Sequence, residues 1–211
     1  MRDYTQIEKY LDELIKQVYP QPQDPGHTAW ADQSIDAFIK TTGIHNDLNV
    51  LDLGCGEAFM QQTFEVLGYR YTGVCLGEDY RVAKERGRNV YEHDFTFLPF
   101  DDESFYLLYS RHSLEHSPMP LLTLMEWHRL TSRYVAIVVP SPDHWKYGGQ
   151  NHYYVLHDPQ WRNLFDVAGF DVTYFNIKRQ NMTTDPTVAE VEIEYWYLLE
   201  KRKPNPTVEI G

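Results

Sequence analysis

Three stretches of this chain concentrate side chains that can do chemistry. Val50-Leu51-Asp52-Leu53-Gly54-Cys55-Gly56 runs from an apolar strand pattern through an acid into a Gly-x-Gly turn. Glycines at such a turn accept positive φ and let the backbone approach a ligand closely. An acid ending a buried strand needs a partner, because acids are rarely buried without one. His112-Ser113-Leu114-Glu115-His116 spells H-x-x-E-H. Two His at i and i+4 on a helix can ligate zinc while the Glu activates water. Residues 140–161, PSPDHWKYGGQNHYYVLHDPQW, gather His144, His152 and His157 among Trp, Tyr and adjacent glycines, with no apolar period. A long ordered loop of that kind usually carries function.

The glycine turn has bland and sharp readings. Gly-x-Gly is common in plain strand-to-helix turns. A dinucleotide site would add a third glycine, where Phe59 stands, and an acid after the second strand, where Cys75 stands. The Lys-Ser/Thr pair of a phosphate-gripping loop is missing too, so hydride transfer and nucleotide hydrolysis both lose ground. The zinc reading of His112, Glu115 and His116 needs a long helix beneath the motif. Instead the motif follows a strand directly, and Pro118 and Pro120 come at once. Zinc hydrolysis is therefore the lesser reading, and the three His of the 140–161 loop have no recognised ligand spacing. No metal is expected.

The elements around these residues can be read from periodicity. Thr5 and Glu8 form a capping-box pattern, and Ile7, Tyr10, Leu11, Leu14, Ile15 and Val18 fall on one helical stripe. Pro20, Pro22, Pro25 and Gly26 end that helix in a loop, and a second helix is expected over 28–41. From residue 48 strands and helices alternate: strands near 49–53, 69–75, 89–93, 104–110 and 134–139, with helices near 58–67, 79–86 and 119–130 between them. Asp158-Pro159 is expected to cap a last helix ending at Gly169, and two alternating strands near 171–178 and 188–200 close the pattern. Repeated β-α units predict a parallel sheet with right-handed crossovers and helices on both faces, and the final helix-free strand pair should be antiparallel.

At this point two separated motifs carry a resemblance. VLDLGCGEAF resembles the first motif of class I S-adenosylmethionine (SAM) dependent methyltransferases, and TFLPFDDESFYLLYSRHSLEHSPMP resembles the fourth-strand segment of their small-molecule, type-11-like branch. The likeness covers roughly residues 45–170 and continues as core topology to about 200. It implies an α/β, Rossmann-like seven-stranded sheet of order 3-2-1-4-5-7-6, strand 7 antiparallel. An N-terminal helical cap or lid (1–45), a SAM-binding domain (46–203) and a C-terminal tail (204–211) are the expected divisions.

The resemblance also implies residue roles. Asp52 would orient the loop and attract the ammonium and sulfonium end of SAM, with Gly54, Cys55 and Gly56 against the methionine and ribose portions. Asp94 would accept the adenine amino group, Phe95 would lie beside the ring, and the Ser110 carbonyl would bind the methionine ammonium. The family usually has an acid directly after the second strand for the ribose hydroxyls. Here Cys75 occupies that place, so Glu78 or Asp79 would take the role if the loop curls back, with Glu57 contributing. His112, nearest the methyl group, and His152 are the candidate catalytic residues; an imidazole suits proton transfer near neutrality. His116 reads as a capping or supporting residue. Asn151, His152 and Tyr153, with His144, are expected substrate contacts, and Tyr19 and Trp30 flank the proline-rich joint as closing residues. Read without a ligand, each of these is a turn or packing residue.

Composition bounds the partners. The 211 residues carry 19 basic and 31 acidic groups, a net charge of −12. Such a surface repels phosphate backbones and anionic lipid, so nucleic acid and membrane are not expected partners. Two cysteines do not make a disulfide framework. The first residues lack an apolar signal core, so a cytoplasmic location is expected. The expected function is methyl transfer from SAM to a small-molecule acceptor, against a non-catalytic SAM-binding module that keeps the cofactor residues alone. No element of the sequence sets an oligomeric state or identifies the acceptor.

Overall fold

Strand Thr131–Pro140 shows why the chain forms layers. Val135, Ile137 and Val139 pack into one buried cluster and Ala136 and Val138 into another. A strand apolar on both faces must lie inside a sheet covered on both sides. The computed structural model describes residues 4–20, 22, 25–43, 47–143, 151–181 and 191–203. In chain order the elements are α1 (Thr5–Ile15), α2 (Pro25–Thr42), β1 (Asn49–Leu53), α3 (Gln61–Val66), β2 (Arg70–Cys75), α4 (Gly77–Glu85) and β3 (Val90–Glu92). Then come β4 (Phe105–Arg111), a 3-10 turn (Leu114–His116), α5 (Pro120–Leu130), β5 (Thr131–Pro140), α6 (Asp158–Val167), β6 (Phe170–Asn181) and β7 (Val191–Lys201).

The sheet has seven strands in the order β3-β2-β1-β4-β5-β7-β6. β1 pairs in parallel with β2 and β4, β2 with β3, and β4 with β5. β7 lies between β5 and β6 and is antiparallel to both. The strand directions are those expected from the repeated β-α units, and the order is the one the resemblance implies. One face is covered by α2, α3 and α4 through Ile35, Phe38, Phe64 and Ala83. The other is covered by α5 and α6 through Leu124, Trp127, Trp161 and Phe165. No helix among the described residues is long and apolar enough to cross a membrane.

Several local expectations shift. Tyr4, not Thr5, is the N-cap of α1, and no side chain caps it. Pro25 opens α2 rather than ending a loop, its missing N–H costing nothing in a first turn. His157 caps α6 through a reciprocal pair with Gln160, with Pro159 in the first turn. The expected N-terminal cap divides in two. α2 is part of the core layer, whereas α1 has no buried residue at all.

Candidate active site at the carboxyl edge of the sheet

Strands β1, β2, β3 and β4 all point their carboxyl ends at one cavity, the usual ligand position in an open α/β sheet. Its walls are Gly54 and Gly56 after β1, Cys75, Leu76 and Asp79 after β2, His93, Asp94, Phe95 and Thr96 after β3, and His112 and Ser113 after β4. Leu11, Leu14, Ile15, Val18 and Tyr19 line it from the α1 side, and His116, Pro118, Asn151 and Tyr153 complete the rim. The apolar stripe of α1 therefore faces the cavity rather than a protein core.

The glycine loop is held by close packing. Gly54 has φ +73°, and a Cβ there would stand 2.2 Å from the Ser113 Oγ. Gly54 and Cys55 donate their N–H groups to the Val74 carbonyl at 2.9 and 3.0 Å, so the loop end is tied to β2. Beneath it, Asp52 is buried and its Oδ2 accepts a hydrogen bond from the Tyr71 hydroxyl at 2.9 Å. Burial pushes the Asp52 carboxyl up to about 7, although the Tyr71 bond acts downward. Burial also raises the Cys55 thiol, with Cys75 and Asp52 adding to it, so that group is an inert thiol rather than a thiolate.

Two acids reach the cavity wall after β2 and β3. Asp79 is buried in the first turn of α4. Asp94 receives the Thr96 N–H on its Oδ1, which sets the turn after β3. Leu76 and Phe95 supply apolar flanks beside them. Glu78 does not line the cavity: it is half-exposed and paired with Arg81 along α4. The helix phase after Gly77, itself at φ +59°, turns Asp79 inward and Glu78 to solvent.

The opposite wall is built on His112. Its backbone adopts φ +49°, a region non-glycine residues seldom enter. Its Nε2 meets Glu194 Oε1 at 2.7 Å, and its Nδ1 lies 3.6 Å from Glu115 Oε1. Glu194 also takes hydrogen bonds from Arg111 Nη2 at 2.8 Å and Trp196 Nε1 at 2.7 Å. Burial alone would raise the Glu194 carboxyl, but His112, Arg111 and Trp196 together hold it down to about 2. Burial and Arg111 push the His112 imidazole down; Glu194 and Glu115 overcome them and leave it raised.

His116 sits at the end of the 3-10 turn, where its Nδ1–H donates to the Asn151 carbonyl at 2.9 Å. Asn151, at φ +61°, also donates its side-chain amide to the Gln17 carbonyl at 2.6 Å. The backbone N–H groups of Tyr153 and Tyr154 both bond the Glu115 carbonyl. The described end of the 140–161 loop is thus pinned against the H-x-x-E-H segment and against the end of α1. The helix that the zinc-hydrolase reading needs beneath the motif is absent, because the motif spans a strand end and a three-residue 3-10 turn.

Of the residues named from sequence, the cavity brings together Gly54, Gly56, Cys75, Asp94, Phe95, His112, Tyr19, Asn151 and Tyr153. Asp52 and Cys55 lie behind the loop as its support. Ser110 is fully buried within β4, which continues one residue further to Arg111, so the strand end is not at the carbonyl that was expected to bind. Trp30 is buried on α2 with the Arg111 guanidinium 5.9 Å from its ring centre. It packs beneath the site instead of closing over it. His152 stands behind His116, ring centres 4.6 Å apart, and burial with the neighbouring His lowers its imidazole to about 4. His144 lies outside the described residues. Asp79, Ser113, the α1 stripe and Glu194 complete the site. The signal for Glu194 was available in Val191-Glu192-Ile193-Glu194, where acids occupy alternate positions of an otherwise apolar strand.

Comparisons with known proteins agree with this architecture. Residues 51–138, from β1 into β5, match the model of the methyltransferase domain family. The YcgJ protein from Bacillus subtilis superposes with a TM-score of 0.66 at 15% identity, over 82% of this chain and 99% of that one. A SAM-dependent methyltransferase from Methanosarcina mazei gives 0.65 at 16% identity, over 79% and 98%. A putative sarcosine dimethylglycine methyltransferase from Galdieria sulphuraria gives 0.67 at 15%, over 92% and 98%. At these identities the likeness is one of fold. Among curated proteins, none matches the sequence. Over residues 51–138 the sequence matches the methyltransferase domain family, and in sheet order and fold the chain is similar to these methyltransferase structures.

Proposed function

We propose that the chain moves the methyl group of SAM to a small-molecule acceptor held against His112, Asn151 and Tyr153. The observation that carries this reading is one shared cavity. It joins the glycine loop and the buried acids Asp79 and Asp94 to the His112 wall, with α1 across it. The residues present fit the cofactor. Gly54 and Gly56, both at positive φ, bring bare backbone to the cavity wall, Asp79 suits the ribose hydroxyls, and Asp94 with Phe95 and Leu76 suits the adenine. Asp52 acts one layer back, fixing the loop through Tyr71.

Bound SAM supplies a sulfonium-activated methyl, which passes to the acceptor as the C–S bond breaks and leaves its electron pair on sulfur. The protein's part is alignment and exclusion of water. His112, oriented by Glu194, takes the proton that the acceptor loses; Asn151 and Tyr153 position the acceptor. A small acceptor suits a cavity closed by the apolar face of α1 and an acidic chain that repels phosphate backbones.

The test is calorimetric titration with S-adenosylhomocysteine, the demethylated product. Micromolar binding that weakens at least about tenfold, roughly 1.4 kcal/mol, in Asp79→Asn and in Asp94→Ala supports the assignment. Glu78→Gln should leave it unchanged. No binding by folded wild-type protein overturns the reading. Methyl transfer in an acceptor screen then separates an enzyme from a bare binding module.

A further inference from the structure

We propose that Glu115, His116 and His152 form a binding site for a borderline divalent metal ion, zinc or iron(II), at the acceptor end of the cavity. One ligand atom from each of the three lies within 4.8 Å of the others. Two features beyond clustering point to an ion. The Glu115 carboxylate is fully buried, and neither oxygen has a hydrogen-bond partner among the described residues. The closest charged group, His112 Nδ1, is 3.6 Å away. A buried carboxylate left so is expensive unless something binds it.

The second feature is the tautomer of His116. A backbone carbonyl can only accept, so the bond to Asn151 places the proton on Nδ1 and leaves the Nε2 lone pair available. Fixing one ring nitrogen on a carbonyl is how proteins orient metal-bound imidazoles. Metal–ligand bonds of 2.0–2.2 Å put tetrahedral ligands roughly 3.4 Å apart. The three side chains would therefore draw in by about an ångström. Two imidazoles and one carboxylate favour zinc or iron(II) over magnesium and calcium, which prefer all-oxygen shells.

The neighbouring trio His112, Glu192 and Glu194 is equally close-set, but it needs no ion. There Arg111, Trp196 and His112 already satisfy Glu194. His112 is thereby engaged through Nε2 and left out of the ligand set. His116 lines both the cavity and the proposed site, so an open coordination position would face the acceptor. It would take a hydroxyl oxygen and lower its pKa, and His112 would accept the released proton. This last role rests on the methyl-transfer reading; binding of the ion does not.

The experiment is zinc titration of the untagged full chain, with cobalt(II) absorption as a check on ligand geometry. One equivalent of zinc should bind, and Glu115→Gln and His152→Ala should each weaken it at least 100-fold. Glu192→Gln should leave it unchanged. S-adenosylhomocysteine binding and circular dichroism report the fold of each variant; should Glu115→Gln unfold, His152→Ala carries the test. Failure of folded wild type to bind zinc, affinity that survives both ligand variants, or a loss on Glu192→Gln overturns the site. Cofactor binding without zinc binding sinks this site alone, and zinc binding without cofactor binding sinks methyl transfer alone.

Discussion

His112 and Glu194 stand 82 positions apart in the chain, yet Nε2 of one meets Oε1 of the other at 2.7 Å. The contact exists because β7 runs against β5 and delivers its first residues to the edge where β4 ends. It gives the imidazole a fixed orientation and gives the carboxylate a second side-chain partner beside Arg111.

Glu194→Gln keeps the shape and removes the charge. Arg111 then loses its counter-ion and His112 its carboxylate partner in a buried setting, which costs about 3 kcal/mol where such pairs have been broken. Urea unfolding at neutral pH should show a loss of that order with an unchanged m-value. A change below about 0.5 kcal/mol would mean that the pair contributes nothing to stability.

Asp52 works in the opposite direction with pH. Its folded pKa, about 7, is above its ordinary 3.8, so the folded chain holds the proton more tightly than the unfolded chain. The stability this gives is complete below about pH 4 and is lost as pH rises through 7. Over that window the loss approaches 4 kcal/mol at most, about three pKa units. Asp52→Asn should flatten that part of the pH–stability curve. Parallel curves for the two proteins between pH 4 and 7 would refute this account.

Gly54→Ala places a side chain at φ +73° and drives a Cβ into Ser113. Strain and overpacking together should destabilise the fold by about 1–3 kcal/mol. S-adenosylhomocysteine affinity should fall at least tenfold. Adding Ser113→Gly removes the clash but not the strained φ, so it should restore stability only in part. Full tolerance of Gly54→Ala would show that the loop does not need its close approach.

Much of this was legible in the sequence because strand and helix periods alternate cleanly from residue 48 onward. The glycine loop, Asp94, Phe95, His112 and Tyr153 were placed by their positions just after strands or in the long loop. What failed was phase. Glu78 and Asp79 are adjacent, and only the turn through Gly77 decides which one faces inward. Ser110 was expected to act through its carbonyl as the last residue of the strand, but β4 extends one residue past it. Trp30 has the composition of a closing residue, but α2 begins early at Pro25 and carries it into the core. The α1 stripe is visible in sequence, yet periodicity does not say whether a stripe meets protein or ligand.

That stripe makes its own prediction. α1 buries none of its residues, while Leu11, Leu14 and Ile15 face the cavity. Helices held by so little packing open locally at small cost. Amide exchange over residues 5–15 should be fast in the free protein and at least tenfold slower with S-adenosylhomocysteine bound. Leu14→Asp should weaken that protection without lowering the unfolding midpoint. Equal protection with and without ligand would make α1 a fixed part of the fold.

The placement of β7 has a consequence for how the protein is made. Synthesis runs from the amino end, so β4 with Arg111 and His112 leaves the ribosome long before Glu194 exists. Until β7 inserts between β5 and β6, Arg111 and His112 wait without the carboxylate that they share. The His112 wall therefore cannot be completed before β7 is in place, and a chain interrupted before residue 191 can carry the glycine loop but not the Glu194 contacts.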